Sequence, residues 1–194
     1  KYFTQFISKG YVKMEFFRMA NEQDLMDIGL NREERKVYIL HHLMCPFTLR
    51  LCQVNASLNA VDTGGYTPLH WAARSNNAAA ARVLLERGAE KNPVDKLGRT
   101  PLHIASLANS PNVVRVLLLR KAKKNPRDNN GNTPIHTGAK FNSVDAVLEL
   151  CKKGCNPNLT NCVGENADAC ARRLRNFLVC EAILKYASAI YDSD

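Results

Sequence analysis

Three histidines stand 33 residues apart along the chain, at His70, His103 and His136. Histidine is the usual acid, base and metal ligand near neutral pH, so these residues are the first candidates for chemistry. Each one, however, ends the same short phrase of Thr, Pro and Leu or Ile. A residue that recurs together with its surroundings is expected to serve a repeated structure. We therefore predict that the three histidines hydrogen-bond one unit to the next, and that none is catalytic or binds a metal.

The seven cysteines also argue against a chemical site. Their number is odd and their spacing scattered, which suits a reducing compartment better than a disulfide framework. The group Cys151, Cys155 and Cys162 has no paired C-x-x-C spacing and no histidine nearby. Buried thiols are therefore favoured over a zinc site. The sequence predicts an intracellular protein, cytoplasmic or nuclear, that carries no cofactor and no metal.

Motifs of known enzymes are missing from the sequence. It contains no phosphate-binding glycine loop, no G-x-S-x-G and no H-E-x-x-H. The adjacent His41 and His42 are predicted on a helix, where neighbours in sequence point to different faces, so they are not expected to form a common site. No apolar run reaches the roughly 18 residues of a membrane span. The opening residues lack an initiator Met and a signal peptide, so we expect a fragment of a longer protein that is itself non-catalytic. The alternative is that it recruits substrate for a catalytic domain elsewhere.

The formal net charge is +9, and most of it lies after residue 60. Between Lys96 and Arg127 there are eight cations and no acid. We predict a basic patch at Arg115, Arg120, Lys121, Lys123, Lys124 and Arg127. Such a run is either a solvated face or a surface for an acidic protein, a nucleic acid or a phosphoinositide. No aromatic residue lies between Trp71 and Phe141, so base stacking is not available and nucleic acid is disfavoured.

A 33-residue repeat must position all of these residues. The constant positions are Thr67, Thr100 and Thr133; Gly65, Gly98, Gly131 and Gly164; and Asn59, Asn92, Asn125 and Asn158. Thr before Pro starts a helix, because the hydroxyl can cap a free N–H and Pro fits the first helical position. Leu69, Leu102 and Ile135 are expected to anchor this first helix, and an apolar second helix follows. One unit cannot bury its own apolar face, which predicts a solenoid of stacked units.

The phrase G-x-T-P-L-H-x-A, followed by V-L-L-x-x-G-A-x-x-N, resembles the ankyrin repeat. The resemblance covers about residues 47–190: a half-repeat, or N-terminal cap, at 47–60, then repeats at 61–93, 94–126, 127–159 and 160–190. It implies an all-α solenoid of helix-turn-helix units, with β-turn fingers at right angles to the helices. It also implies a scaffold or adaptor that binds partner proteins across the fingers and the first helices.

Some positions depart from this pattern. In the fourth unit, Asn166 to Ala169 replace T-P-L-H, although Asn166 is still expected to cap the helix. Lys121 stands where Gly88 and Gly154 end the second helices in a left-handed conformation. Gly138 replaces the Ala of the first helix, so the third unit is expected to be the least stable.

Residues 1–46 do not fit the repeat, and a short helix, a Gly-Leu break and a longer helix are predicted there. They resemble the later part of a SAM (sterile alpha motif) domain at Phe16, Met19, Asp24, Leu25, Gly29, Leu30, Arg35, Val37 and Leu40. The competing interpretation is an atypical helical cap. The resemblance implies self- or hetero-association between an acidic surface at Glu22, Asp24 and Asp27 and a basic one at Arg32, Arg35 and Lys36. Ordinary solvated charges are the alternative.

The partner is expected at positions that the repeat leaves free: the finger tips, the residue after the histidine, and the end of the first helix. These positions are Tyr66, Trp71, Arg74, Lys96, Arg99, Leu107, Asn132, Lys140 and Phe141. The first unit holds a Tyr, a Trp and an Arg, the types most frequent at binding hot spots. The alternative for Trp71, the only Trp in the chain, is packing against a neighbouring first helix.

Overall fold

The computed structural model describes residues 58–191, with side chains to residue 186. All regular structure in this range is helical. The first helices of the units are α1 (Pro68–Arg74), α3 (Pro101–Leu107), α5 (Pro134–Lys140) and α7 (Ala167–Arg173). The second helices are α2 (Ala78–Glu86), α4 (Pro111–Leu119), α6 (Val144–Lys152) and α8 (Phe177–Tyr191). The predicted segment 1–46 and most of the half-repeat 47–60 lie outside the described residues.

Each of the first three units begins its first helix at the predicted proline, after an extended threonine. The histidine takes part in this helix start. In the first unit the N–H of Thr67 donates to Nδ1 of His70 at 3.1 Å, and the Thr67 hydroxyl lies 3.0 Å from the same nitrogen. The fourth unit has no histidine here, and the side chain of Asn166 accepts from the Ala169 N–H at 2.8 Å. The prediction that Asn166 caps this helix is confirmed.

The fingers are tight turns organised by one acidic or amide side chain each. Oδ1 of Asp95 accepts from the N–H groups of Leu97 and Arg99 at 2.9 and 2.8 Å. The equivalent residues are Asp62, Asp128 and Asn161. Each turn also contains a glycine at positive φ, as at Gly98 (73°), because the reversal needs the left-handed region. The fingers are therefore rigid platforms rather than loose loops.

The units stack helix on helix. First helices pack on first helices and second helices on second helices along the whole described range. Leu69, Leu102 and Ile135 are fully buried, which confirms their predicted role as anchors. In the fourth unit Asp168 stands at this position and pairs with Arg172 at 2.7 Å. A polar residue at the anchor position suits the end of a stack.

Candidate functional site

A groove of about 500 Å³ runs across the second, third and fourth units. The finger residues Leu97 and Val163 line it on one side and the helix-end residues Leu107, Phe141 and Leu174 on the other. Four of these five apolar side chains are exposed, from 39% at Leu174 to 75% at Val163. Large apolar side chains held open to solvent in a concave surface are typical of a protein-binding site.

Charged groups stand among these apolar residues. The guanidinium of Arg173 donates to both oxygens of Glu165, at 2.8 and 3.0 Å, and this hydrogen bonding lowers the pKa of Glu165. The ammonium of Lys140 lies 5.8 Å from the centre of the Phe141 ring, within cation–π range. Among the described residues, Lys140 has no carboxylate within ion-pair distance. The groove thus combines apolar walls with one uncompensated cation.

The first unit holds a separate aromatic cluster. The rings of Tyr66 and Trp71 lie 5.4 Å apart, and Arg74 sits over the Trp71 ring at 5.4 Å. The Trp71 indole N–H donates to Asp62 Oδ2 at 3.0 Å, while Arg99 donates to the Tyr66 hydroxyl at 2.6 Å. Trp71 is half-buried and Arg74 is exposed. Hydrogen bonds within the fold therefore hold Trp71 and Tyr66 in place, and part of the Trp71 ring stays accessible.

The structure brings five of the nine predicted partner residues into the groove: Arg99, Leu107, Asn132, Lys140 and Phe141. Tyr66 reaches it only through Arg99, and Lys96 is an exposed finger residue outside it. The prediction missed the contribution of the fourth unit, namely Glu165, Arg173 and Leu174. The repeat itself could have indicated these residues, because they lie one period of 33 beyond Asn132, Lys140 and Phe141.

Both ring nitrogens of each of the three histidines are hydrogen-bonded within the fold. Nε2 of His70, His103 and His136 lies 2.9–3.0 Å from the carbonyl oxygens of Arg99, Asn132 and Glu165, each in the next unit. Nε2 therefore donates, and Nδ1 accepts from the threonine. Burial lowers the pKa of all three imidazoles, which keeps them neutral. The predicted cross-unit hydrogen bonds are confirmed.

Four of the five described cysteines are buried thiols, which confirms the prediction for Cys151 and Cys155. Burial raises the pKa of Cys151 to about 11 and of Cys155 to about 12. Cys170, which borders the groove, donates to Glu165 at 3.1 Å, and burial raises its pKa to about 11. These thiols stay protonated and are poor nucleophiles. The prediction of a buried thiol is wrong for Cys162, which is exposed because it lies in the turn of the fourth finger. Cys45 and Cys52 lie outside the described residues.

The predicted basic patch is divided in the structure. Arg115 pairs with Glu149 at 3.2 Å, and Arg120 pairs with Glu86. Arg127 donates to the carbonyls of Gly131 and Thr160 at the base of the fingers. Lys121, Lys123 and Lys124 lie together in the turn after α4. The segment from Lys96 to Arg127 contains no acid, but Glu86 and Glu149 of the neighbouring units pair with two of its arginines.

No three His, Cys, Asp or Glu side chains between residues 58 and 186 are grouped so as to hold a metal ion. In the same part of the chain, no helix combines the length and apolar character that crossing a membrane requires.

Comparison with known families agrees with the fold. A family model for ankyrin repeats, spanning three copies, matches residues 40–95 and 91–161. The two matches cover more than half of the chain. The chain belongs to the ankyrin-repeat family, whose members are generally protein–protein interaction modules. The likeness of residues 1–46 to a SAM domain rests on the sequence alone.

Proposed function

We propose that this chain is a non-catalytic scaffold or adaptor that binds a partner protein in the groove of units two to four. The observation that carries the proposal is the set of exposed apolar side chains on the groove walls, above all Phe141, beside the uncompensated cation of Lys140. A partner segment with an apolar side chain next to a carboxylate fits this arrangement. The apolar group fills the wall, and the carboxylate neutralises Lys140.

The rigidity of the site supports the same proposal. Fingers held by internal hydrogen bonds lose little conformational entropy on binding, which favours affinity. Binding also requires no acid, base or nucleophile from this chain. In the described part of the chain the imidazoles of His70, His103 and His136 are committed to structural hydrogen bonds, and the buried thiols of Cys151 and Cys155 have raised pKa values.

The test is a comparative pull-down with three baits: the wild-type chain, a Phe141→Ala/Lys140→Ala variant, and an Arg82→Ala control on the exposed face of α2. We expect proteins retained by the wild type and the control to be lost with the groove variant. Affinity measured by calorimetry for any such protein should fall by about 2 kcal/mol or more, as at a binding hot spot. Partners that bind all three baits equally would place the interaction elsewhere. Repeating the pull-down with nuclease and at high salt separates protein partners from nucleic acid.

Two further predictions remain from the sequence. Association through residues 1–46 predicts self- or hetero-oligomers that a chain beginning at residue 47 does not form, which light scattering can check. The role of substrate recruiter for a catalytic domain uses the same groove, and its signature is a groove-dependent partner that is also a substrate of that catalytic domain.

A further inference from the structure

The turns that end the second helices concentrate positive charge. We call the turns 86–92, 119–125 and 152–158 together the basic edge. The basic edge carries only two carboxylates, Glu86 and Glu90. Its eight cations are Arg87, Lys91, Arg120, Lys121, Lys123, Lys124, Lys152 and Lys153. The difference of six is most of the chain's formal net charge of +9.

Hydrogen bonds join the three turns into one continuous edge. Oδ1 of Asn92 accepts from the Lys123 N–H at 2.9 Å, and Oδ1 of Asn125 accepts from the Asn156 N–H at 3.0 Å. The ammonium of Lys124 reaches the next turn, 3.3 Å from where a Cβ on Gly154 would stand. The stack, rather than the run in the sequence, therefore assembles these cations.

The charge is uncompensated at the middle turn. Arg120 is paired with Glu86, and Lys152 lies 3.3 Å from Glu149. Lys121, Lys123 and Lys124 are exposed, and in the described part of the chain no carboxylate pairs with them. Exposed like charges this close repel one another, so an anionic partner gains by binding here.

Lys121 also adopts a backbone conformation that disfavours lysine. Its φ is 62°, in the left-handed region, where the flanking units place Gly88 and Gly154. Glycine would be unstrained at this position. Strain kept at a surface position is an indication of function.

An exposed leucine distinguishes among anionic partners. Leu119 is 64% exposed and directly precedes Arg120 and Lys121. The flanking units hold Glu86 and Lys152 at this position. An exposed aliphatic side chain close in sequence to exposed lysines suits an anionic lipid interface, where it inserts among acyl chains while the ammonium groups meet headgroups. It has nothing to contact on the backbone of a duplex nucleic acid.

We propose that the basic edge binds the surface of an anionic lipid membrane, peripherally and separately from the groove. None of its residues lines the groove, so both surfaces are available at once. The chain would then hold its protein partner at a membrane.

The test measures sedimentation of the full chain with vesicles of phosphatidylcholine alone or with 30% phosphatidylserine, at about 0.15 M salt. We expect partition into the phosphatidylserine vesicles only. Lys121→Gln/Lys123→Gln/Lys124→Gln should lower the partition coefficient by about 100-fold. Leu119→Ser should lower it by about tenfold. The charge-matched control Arg82→Gln/Arg172→Gln/Arg175→Gln, with three exposed cations outside the basic edge, should bind like the wild type.

Several outcomes overturn the proposal. They are no partition into phosphatidylserine vesicles, equal partition into phosphatidylcholine vesicles, and equal losses for the edge triple variant and its control. The same chain is also titrated with a 20-base-pair DNA duplex. Duplex binding that the edge triple variant abolishes, together with vesicle binding that Leu119→Ser leaves unchanged, would identify a nucleic-acid surface instead.

Discussion

Single residues at positive φ show how each unit turns between its helices. In the first three units the turn between the helices is made by Asn76, Asn109 and Asn142, with φ between 48° and 55°. Asparagine tolerates this region better than most residues, because its short side chain can hydrogen-bond locally. In the fourth unit Arg175 takes the position at 61°. A second left-handed position, at the end of the second helix, holds Gly88, Lys121 and Gly154.

Exchanging residues at this second position should change stability in opposite directions. Lys121→Gly removes the strain of a side chain in the left-handed region and should raise the free energy of unfolding by about 0.5–1 kcal/mol. Gly88→Ala should lower it by about 1 kcal/mol. No atom lies within 4 Å of the new Cβ at Gly88, so its cost is purely a backbone cost. Urea unfolding measures both values, and a stabilising Gly88→Ala would contradict the argument.

At the scale of elements, the sequence predicts what each unit contains but not what neighbouring units do together. The Thr-Pro phrase predicts the starts of α1, α3 and α5 because capping and proline geometry are local. The finger carboxylate of Asp95 was missed, although its 33-residue recurrence was visible, because its hydrogen bonds go to backbone groups that carry no sequence signal. The pairing of Arg115 with Glu149 joins residues 34 apart, so a local charge count could not reveal it.

Gly138 in α5 packs closely against α6, and helix propensity alone does not predict the effect of replacing it. A Cβ on Gly138 would stand 2.5 Å from Cγ2 of Val147. Gly→Ala in a helix usually stabilises by about 0.5–1 kcal/mol, but overpacking costs about 1–3 kcal/mol. We expect Gly138→Ala to destabilise by about 1 kcal/mol net. We expect only this modest loss of stability because the second unit buries Ala105 and Val114 together at the positions equivalent to Gly138 and Val147.

A double-mutant cycle separates the two contributions. In a Val147→Ala background the methyl group has room, so Gly138→Ala should there be neutral or stabilising. The coupling energy between the two substitutions is read from urea unfolding of the four proteins. If Gly138→Ala stabilises the wild type, the contact with Val147 does not limit the packing.

For the whole molecule, the histidines make the stability of the stack depend on pH. Each imidazole accepts at Nδ1 and donates from Nε2 to the next unit, so a second proton on the ring breaks the bond at the threonine. Burial lowers the pKa of His70, His103 and His136 below the ordinary value of about 6.5. Below that pH the unfolded chain binds protons that the folded chain does not. Stability therefore falls as the pH drops from about 6.5, by up to about 1.4 kcal/mol per pH unit for each histidine.

Urea unfolding between pH 7.5 and 5 measures this slope. This pH range lies above the titration of the paired carboxylates. Hydrogen bonds from Arg115 and Arg173 hold the pKa of Glu149 and Glu165 below its ordinary value, so the stability that these pairs contribute is lost only at lower pH. His103→Gln removes one titrating group from the middle of the stack. It should lower stability at pH 7.5 and also reduce the slope by about a third, because one of three protons no longer differs between the states. A loss of stability with an unchanged slope would mean that His103 packs in the core without linking protonation to folding.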